Sequence, residues 1–509
     1  MWDLKYAIRE GMEHMTRSFD KDGDMRPWFE IRLEEGKPGY MFHFPGLDVP
    51  HAPGRCLDAM LMGEAVTGIP ADDVAVALFK KWLMISMDAP DGLVGDWGEE
   101  GRFVRFHNFR EGLEALNALV RYRNDEWALE AGTEFVKKLD ALLGVDGCWK
   151  HEKMDELSKQ VRVNAPLNLP ATHEGRLVYA LLLWHHTTGQ QLALDMAGRI
   201  VPYTLRVMFD AEGNRTPNIC EHVHSVTSTF SSAADYYCLT NDKIGMASLV
   251  PAFFKTILPL GCRSGWMKEN TLPTSPYIVG ETNSTGDIIQ ACLCMGKVLE
   301  DDTYYAIAEE MLRSHLLPAQ VFPEDIPENW RIQAGEGDVH ADIAQRMRGG
   351  FGFPLPSERA PLNYNQPYCR ITTLDITAGS VQAICRCVME GVERDQNSFR
   401  VNLLVDAKQP GFSLKQTALN TWVVESFLPI NMRLPKNNGV MVNGEALIAE
   451  GRLHLRPGRY EIRLDLTDTW EEELLFGQPY KTRWIGEQAV DMLPRGEVSD
   501  MFAKLRPAE

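Results

Sequence analysis

No run of about 18 consecutive apolar residues occurs in the chain, so its sequence predicts no membrane span. Positive charge is scarce: 52 Lys+Arg stand against 71 Asp+Glu, a formal charge of −19. Nucleic acids and anionic membranes are polyanions that need cationic counter-charge, so neither is expected as a partner. The ten cysteines fall in no disulfide-framework or zinc-knuckle spacing. Cys292/Cys294 and Cys385/Cys387 are i,i+2 pairs inside helical patterns; they point to different faces and cannot chelate one metal together. Reduced, buried thiols in a cytoplasmic protein are the expectation. No secretory h-region opens the sequence, because residues 1–15 mix Asp3, Lys5, Arg9, Glu10 and Glu13 with apolar residues at helical spacing.

What is present is an ordinary globular composition, 44% hydrophobic and 24% charged, which excludes a disordered chain. Two textures follow one another over the 509 residues. Up to about Val388 apolar residues recur at helical spacing. From about Asn397 they fall in short alternating runs, such as Phe399 to Val405, Leu428 to Leu434 and Tyr460 to Leu466, with turn signals at Asn437-Asn-Gly439, Asn443-Gly444 and Pro457-Gly458. The fold class expected is mainly α with a β domain: a helical domain over 1–392, then a β-sandwich with a C-terminal tail over 393–509.

The helical part repeats. His51 to Gly68, His107 to Asp125, His173 to Gly189, His222 to Asp242 and Glu281 to Asp302 share one plan, a polar start, an apolar helix with small residues, and a Thr-Gly or Asn-Asp style stop. A weaker copy runs from Asp375 to about Val388, and second helices lie between, as at Glu126 to Leu143 and Gln191 to Phe209. Helical hairpins recurring every 50 to 65 residues or so indicate a toroid. Six of them predict an (α/α)6 barrel whose inner helices start at one mouth. His51, His107, His173, His222/His224, Glu281 and Asp375 would then converge on one pocket, where helix N-termini offer unpaired N–H donors to an oxygen-rich ligand. Asp, Asn, Ser and Thr are ordinary caps and a single carboxylate can serve a helix dipole, but capping does not select His. Segments such as Tyr40 to Phe44, Asp96-Trp97, Trp184 to His186 and Tyr364 to Tyr368 could add aromatic and polar walls.

His107-Asn-Phe-Arg-Glu-Gly, His173-Glu-Gly-Arg, His224-Ser-Val-Thr-Ser and Glu281-Thr-Asn, in that order, resemble the helix starts of glycoside hydrolase family 127, the β-L-arabinofuranosidase group. The resemblance continues through Met432-Arg-Leu-Pro and Val442-Asn-Gly444 to Trp484 through Pro494, and implies an (α/α)6 barrel with β-sandwich domains. It also implies sugar binding by His107, His173 and His224. His222, two residues earlier, would face elsewhere on a regular helix. That family carries a zinc–thiolate site in which a Glu-Thr-Cys motif and a Cys-Cys motif supply the metal ligands, one Cys being the nucleophile. Laid onto it, Glu281 keeps the carboxylate, while Asn283, Asp375 and Ile376 stand where the cysteines would be. Asn and Ile cannot replace thiolates around Zn²⁺, so no metal and no cofactor are expected.

The resulting expectation is a glycoside hydrolase, exo-acting, with a metal-independent carboxylate mechanism and a carbohydrate substrate; self-association stays open. Glu281 and Asp375 would face each other and push their pKa values apart, one acid and one ionised, with Glu269 as an alternative acid. His51, Asn283 and Tyr364 complete the expected substrate-binding set. The alternatives are a polysaccharide lyase or sugar epimerase on the same barrel, both using His or Tyr bases, and a non-catalytic sugar-binding protein.

Overall fold

A computed structural model of the chain describes residues 3–493 except 35, 99–100, 159–161, 165–169, 272–279, 327, 333–334, 355–368, 450 and 476–477. The principal helices are α1 Leu4–Thr16, α2 His51–Thr67, α3 Asp73–Met87, α4 Phe109–Arg123, α5 Glu126–Leu142, α6 Pro170–Thr188, α7 Gln191–Met208, α8 Val223–Leu239, α9 Lys243–Ala252, α10 Thr282–Leu299, α11 Asp302–Met311 and α12 Leu374–Glu390. Helices α2, α4, α6, α8, α10 and α12 each pack on the next, and α12 packs back on α2. The result is a helical toroid with these six inside. Their sequences show why: α8, α10 and α12 are rich in Ser, Thr, Gly and Ala and are buried on all sides through their first two turns. Helices α3 and α5 bury one apolar face and expose the other, as outer helices should.

The repeated stop signals have a local physical cause. Inner helices end on left-handed residues, Gly68, Asn124, Gly189, Asn241 and Glu300, at φ of 75°, 52°, 75°, 51° and 56°. An Asp then starts most of the outer helices by accepting backbone N–H bonds: Asp72 from Ala75, Asp125 from Ala128, Asp242 from Ile244 and Asp301 from Thr303. The starts of α2, α4, α8 and α10 carry no such side-chain cap. Asp-capped ends therefore gather on one side of the ring; on the other, of the starts described, only α12 has a side-chain cap, Thr373 accepting from Ile376 N.

The helical run Lys243–Leu260 is long and apolar enough to span a membrane, with mean hydropathy 1.3 over 18 residues. Lys243, Ser248, Pro251 and Lys255 interrupt it, and Met246, Leu249, Phe253 and Ile257 pack into the toroid core.

Directly after α12, Val392–Arg394 enters a sheet with Phe399–Val401, Ile430–Arg433 and Arg452–Leu455. A second, six-stranded sheet includes Phe412–Ala418, Thr421–Ser426 and Gly458–Leu466, and both sheets fill one core with Phe399, Met432, Leu414, Trp422 and Ile462. Three further strands, Asp468–Leu475, Gln478–Ile485 and Gln488–Leu493, return to the toroid. There Tyr480, Trp484 and Met492 pack on Cys262 and Trp266, and the Arg263 guanidinium sits 4.0 Å from the Trp484 ring centre. Arg433 welds the same junction, donating at 2.6 Å to Glu487 and also to Glu309. Near the N-terminus, Glu30–Glu34 pairs antiparallel with Cys369–Thr373, which sets Glu30 opposite Thr373 at the entry to α12.

Candidate active site

A cavity of about 380 Å³ opens at the mouth where the inner helices begin. His51, His107, His222, His224, Glu269, Glu281 and Asp375 all line it, with Glu30, Arg105, Phe29, Phe44 and Phe353. The helix starts deliver these side chains differently. His51 is the first residue of α2 and Asp375 the second of α12; His107 lies in the 3-10 turn Phe106–Asn108 ahead of α4; Glu281 and His222 are the N-caps of α10 and α8. His173 lies in the first turn of α6, with its side chain outside the described residues, and Tyr364 is outside them altogether.

Two histidine–carboxylate clusters form the walls. In the first, His51 lies between two acids, with Nδ1 3.4 Å from Glu111 Oε1 and Nε2 3.4 Å from Asp375 Oδ2. Thr373 Oγ1 donates to Asp375 Oδ1 at 2.7 Å, so both carboxylate oxygens are held. Glu111 in turn accepts from Arg110 at 2.8 Å and from Arg176 at 3.4 Å, and Arg176 reaches His107 Nδ1 at 3.1 Å. The close approach of α2 to α4 depends on Gly54, where a Cβ would meet the Glu111 carbonyl oxygen at 2.4 Å.

The second cluster centres on Glu281. His224 Nδ1 is 2.9 Å from its Oε1 and His222 Nε2 3.3 Å from its Oε2, while Asn283 donates to Oε1 at 2.8 Å. The outer nitrogens are also placed: His222 Nδ1 lies 2.9 Å from Ser225 Oγ, and His224 Nε2 lies 3.6 Å from Asp287 Oδ2. Gly379 on α12 leaves room for this packing, since a Cβ there would lie 2.1 Å from Asn283 Oδ1. The expectation that His222 faces away is corrected. As an N-cap it has extended backbone (φ −74°, ψ 110°), so it is outside the helical period and points at the same carboxylate as His224.

Electrostatics sort the four cavity carboxyls into two kinds. Burial opposes ionisation of Asp375, but the hydrogen bond and charge of His51 outweigh it and hold the carboxyl below its ordinary range. Burial likewise opposes Glu281, and its contacts with His224 and His222 hold it well below that range. Burial pushes Glu269 up, and the neighbouring Glu281 charge adds to this. Burial takes Glu30 up to about 7 despite its Arg32 partner. The expected division between Glu281 and Asp375, one acid and one ionised, is therefore corrected: each has histidine partners of its own, and the raised pair is Glu269 and Glu30. Burial also lowers His224 to about 3, leaving it a neutral imidazole.

Asn283 does not line the cavity; it orients Glu281 from behind. Of the proposed aromatic walls, Phe44 lines the cavity, whereas Trp184 is fully buried and donates to Gln190 near the other end of α6. Sequence reading missed Glu30 and Arg105. Both sit on strands whose alternation was too short to read, and only the long-range pairing of Glu30–Glu34 with Cys369–Thr373 brings Glu30 to the mouth.

No protein-family model matches the chain, and no curated protein matches it. Among solved structures, a GH127 β-arabinofuranosidase aligns at 12% identity over 86% of this chain and 74% of its own, with a TM-score of 0.58. The GH127 β-L-arabinofuranosidase of Geobacillus stearothermophilus T6 aligns at 12% over 95% of this chain and 80% of its own, also at 0.58. A sugar epimerase from a ruminal bacterium aligns at 10% over 77% of this chain and its entire length, at 0.51. The chain shares their fold. The zinc–thiolate site that the family resemblance implies does not fit here. Ile376 offers no donor, Asn283 is bonded to Glu281, Asp375 is bonded to Thr373, and among the described residues no cysteine lines the cavity.

Proposed function

We propose that the chain is a glycoside hydrolase working from the mouth of a closed (α/α)6 barrel, with the β region as a sandwich that braces the rim. The observation that carries this reading is one cavity holding an ionised carboxylate, Asp375, fixed on both oxygens, and a raised one, Glu269, to whose side chain no hydrogen bond runs among the described residues. Cleaving a glycosidic bond needs those two states together: an acid to protonate the leaving oxygen, and a carboxylate to steady the oxocarbenium-like sugar as nucleophile or base. Asp375 takes the second role and Glu269 the first. Glu269 is held in place because its carbonyl accepts from Val223 N at 2.9 Å, and because Cys262 and Trp266, just before it, pack against Trp484. His107 and Arg105 supply polar contacts and Phe29, Phe44 and Phe353 an apolar wall. At about 380 Å³ the cavity is near the small end of the roughly 300–1,000 Å³ of ligand pockets, which favours a terminal sugar and exo action.

The test is product analysis in H₂¹⁸O with aryl glycosides and short oligosaccharides, furanosides included. Hydrolysis places ¹⁸O on the anomeric carbon and yields one new reducing end per turnover. An ultraviolet-absorbing unsaturated product would instead identify a lyase, and deuterium exchange at carbon without cleavage an epimerase. Binding without any turnover would identify a sugar-binding protein.

A further inference from the structure

We propose that His222, His224 and Glu281 form a binding site for a divalent transition-metal cation of the zinc class, open to the cavity. Their three donor atoms lie within 4.8 Å of one another, and the His–Glu separations of 2.9 and 3.3 Å match the edges of a coordination polyhedron with bonds near 2.1 Å. Two imidazoles and a carboxylate are a donor set for zinc, iron or cobalt, not for calcium or magnesium, which take oxygen cages. Two donors have an outer hydrogen-bond partner that fixes their orientation, Ser225 on His222 and Asn283 on Glu281, and the Asp287 carboxyl lies 3.6 Å behind His224 Nε2. Such partners are what hold metal-ligating histidines in place. Because all three residues line the cavity, the remaining coordination positions face the space a sugar would fill.

A second grouping of similar composition, His51, His107 and Glu111, does not qualify. Its carboxylate accepts from Arg110 and lies 3.4 Å from Arg176, which also touches His107. Two buried guanidiniums already supply the positive charge there, and a cation would be repelled. Around Glu281 no guanidinium is bonded among the described residues, although Arg176 and Arg110 also act on His224. This site shares only Glu281 with the thiolate set of family 127; both nitrogen donors come from the start of α8. It revises the expectation of a metal-free cavity. The inference rests on geometry that is independent of the glycosidase reading, and metal binding is measured without a substrate.

Full-length protein stripped with chelator and dialysed is titrated with Co²⁺ and Zn²⁺, followed by visible absorption and calorimetry. One equivalent per chain, with Co²⁺ d–d bands of a nitrogen–oxygen site displaced by Zn²⁺, is the expected result. His222→Ala should weaken binding at least tenfold and alter those bands; its side chain is 38% exposed, so it is the variant least disruptive to packing. Asp287→Asn should weaken binding about 10- to 100-fold without removing a ligand. Substoichiometric metal in the wild type, or binding unchanged in His222→Ala, overturns the proposal and leaves a hydrogen-bonded histidine–carboxylate cluster only. The wild-type titration decides the question even if a variant fails to fold.

Discussion

The two walls of the cavity are built from the same residue types and end up with different chemistry. On one side His51 joins Asp375 to Glu111, and Glu111 is tied to Arg110 and Arg176. On the other, Glu281 collects His222, His224 and Asn283, with no guanidinium bonded to it among the described residues. The difference lies one layer behind the cavity. Buried arginines satisfy Glu111, and His51, whose ionisation burial opposes, is nevertheless pushed up by the charge of Glu111 and by its contact with Asp375. Around Glu281, burial lowers His224 to about 3, so that it offers a neutral nitrogen donor instead. Composition at the mouth does not determine what a cluster does; the partners of its partners do.

The sharpest way to break the comparison is Asp375→Asn. It should lower kcat by about 10³-fold or more with the melting curve unchanged, whereas Glu281→Gln should disturb metal binding and substrate affinity first. Next in size is Glu111→Gln, which takes a buried anion from both Arg110 and Arg176, Arg110 keeping Glu114 at 3.6 Å. It should destabilise the helical region by ~3–5 kcal/mol in denaturant unfolding. The pH sign follows: burial pushes Glu111 up, but Arg110 and His51 hold its folded pKa well below 4.5, so its contribution is present above the unfolded value. That contribution is lost as pH falls through the depressed one, and the acid sensitivity should shrink in Glu111→Gln.

His51→Asn should act on rate more than on stability. With His51 gone, burial of Asp375 is less opposed and its pKa rises, so the acid limb of the pH–rate profile moves to higher pH, with roughly tenfold loss at acid pH. The alkaline limb, which reports the raised acid Glu269, should stay where it is, since activity there is lost as pH rises through a value above 4.5. Smallest is Asn283→Ala, which removes one hydrogen bond to Glu281 and should cost about 1 kcal/mol in stability.

Much of this was legible in the sequence because it is written locally. The left-handed stops at Asn124 and Asn241 and the Asp caps that follow them recur as short motifs, and the six histidine or carboxylate helix starts mark one end of the ring. His222 was misjudged because a cap residue does not obey the 3.6 period, and spacing alone cannot say where a helix begins. Glu30 was invisible because only pairing across more than 300 residues, Glu30 with Thr373, places it. The division of labour between the two clusters was also hidden. Arg110 and Arg176 read as ordinary helix residues until the fold sets both against Glu111.

The most direct test of the central claim compares Glu269→Gln and Asp375→Asn on two aryl glycosides of the same sugar, one with a good leaving group and one with a poor one. If Glu269 is the acid and Asp375 the nucleophile or base, Glu269→Gln keeps near wild-type turnover on the activated substrate and loses it on the poor one, while Asp375→Asn loses both. Equal losses on both substrates in Glu269→Gln, or full activity in Asp375→Asn, would contradict the account.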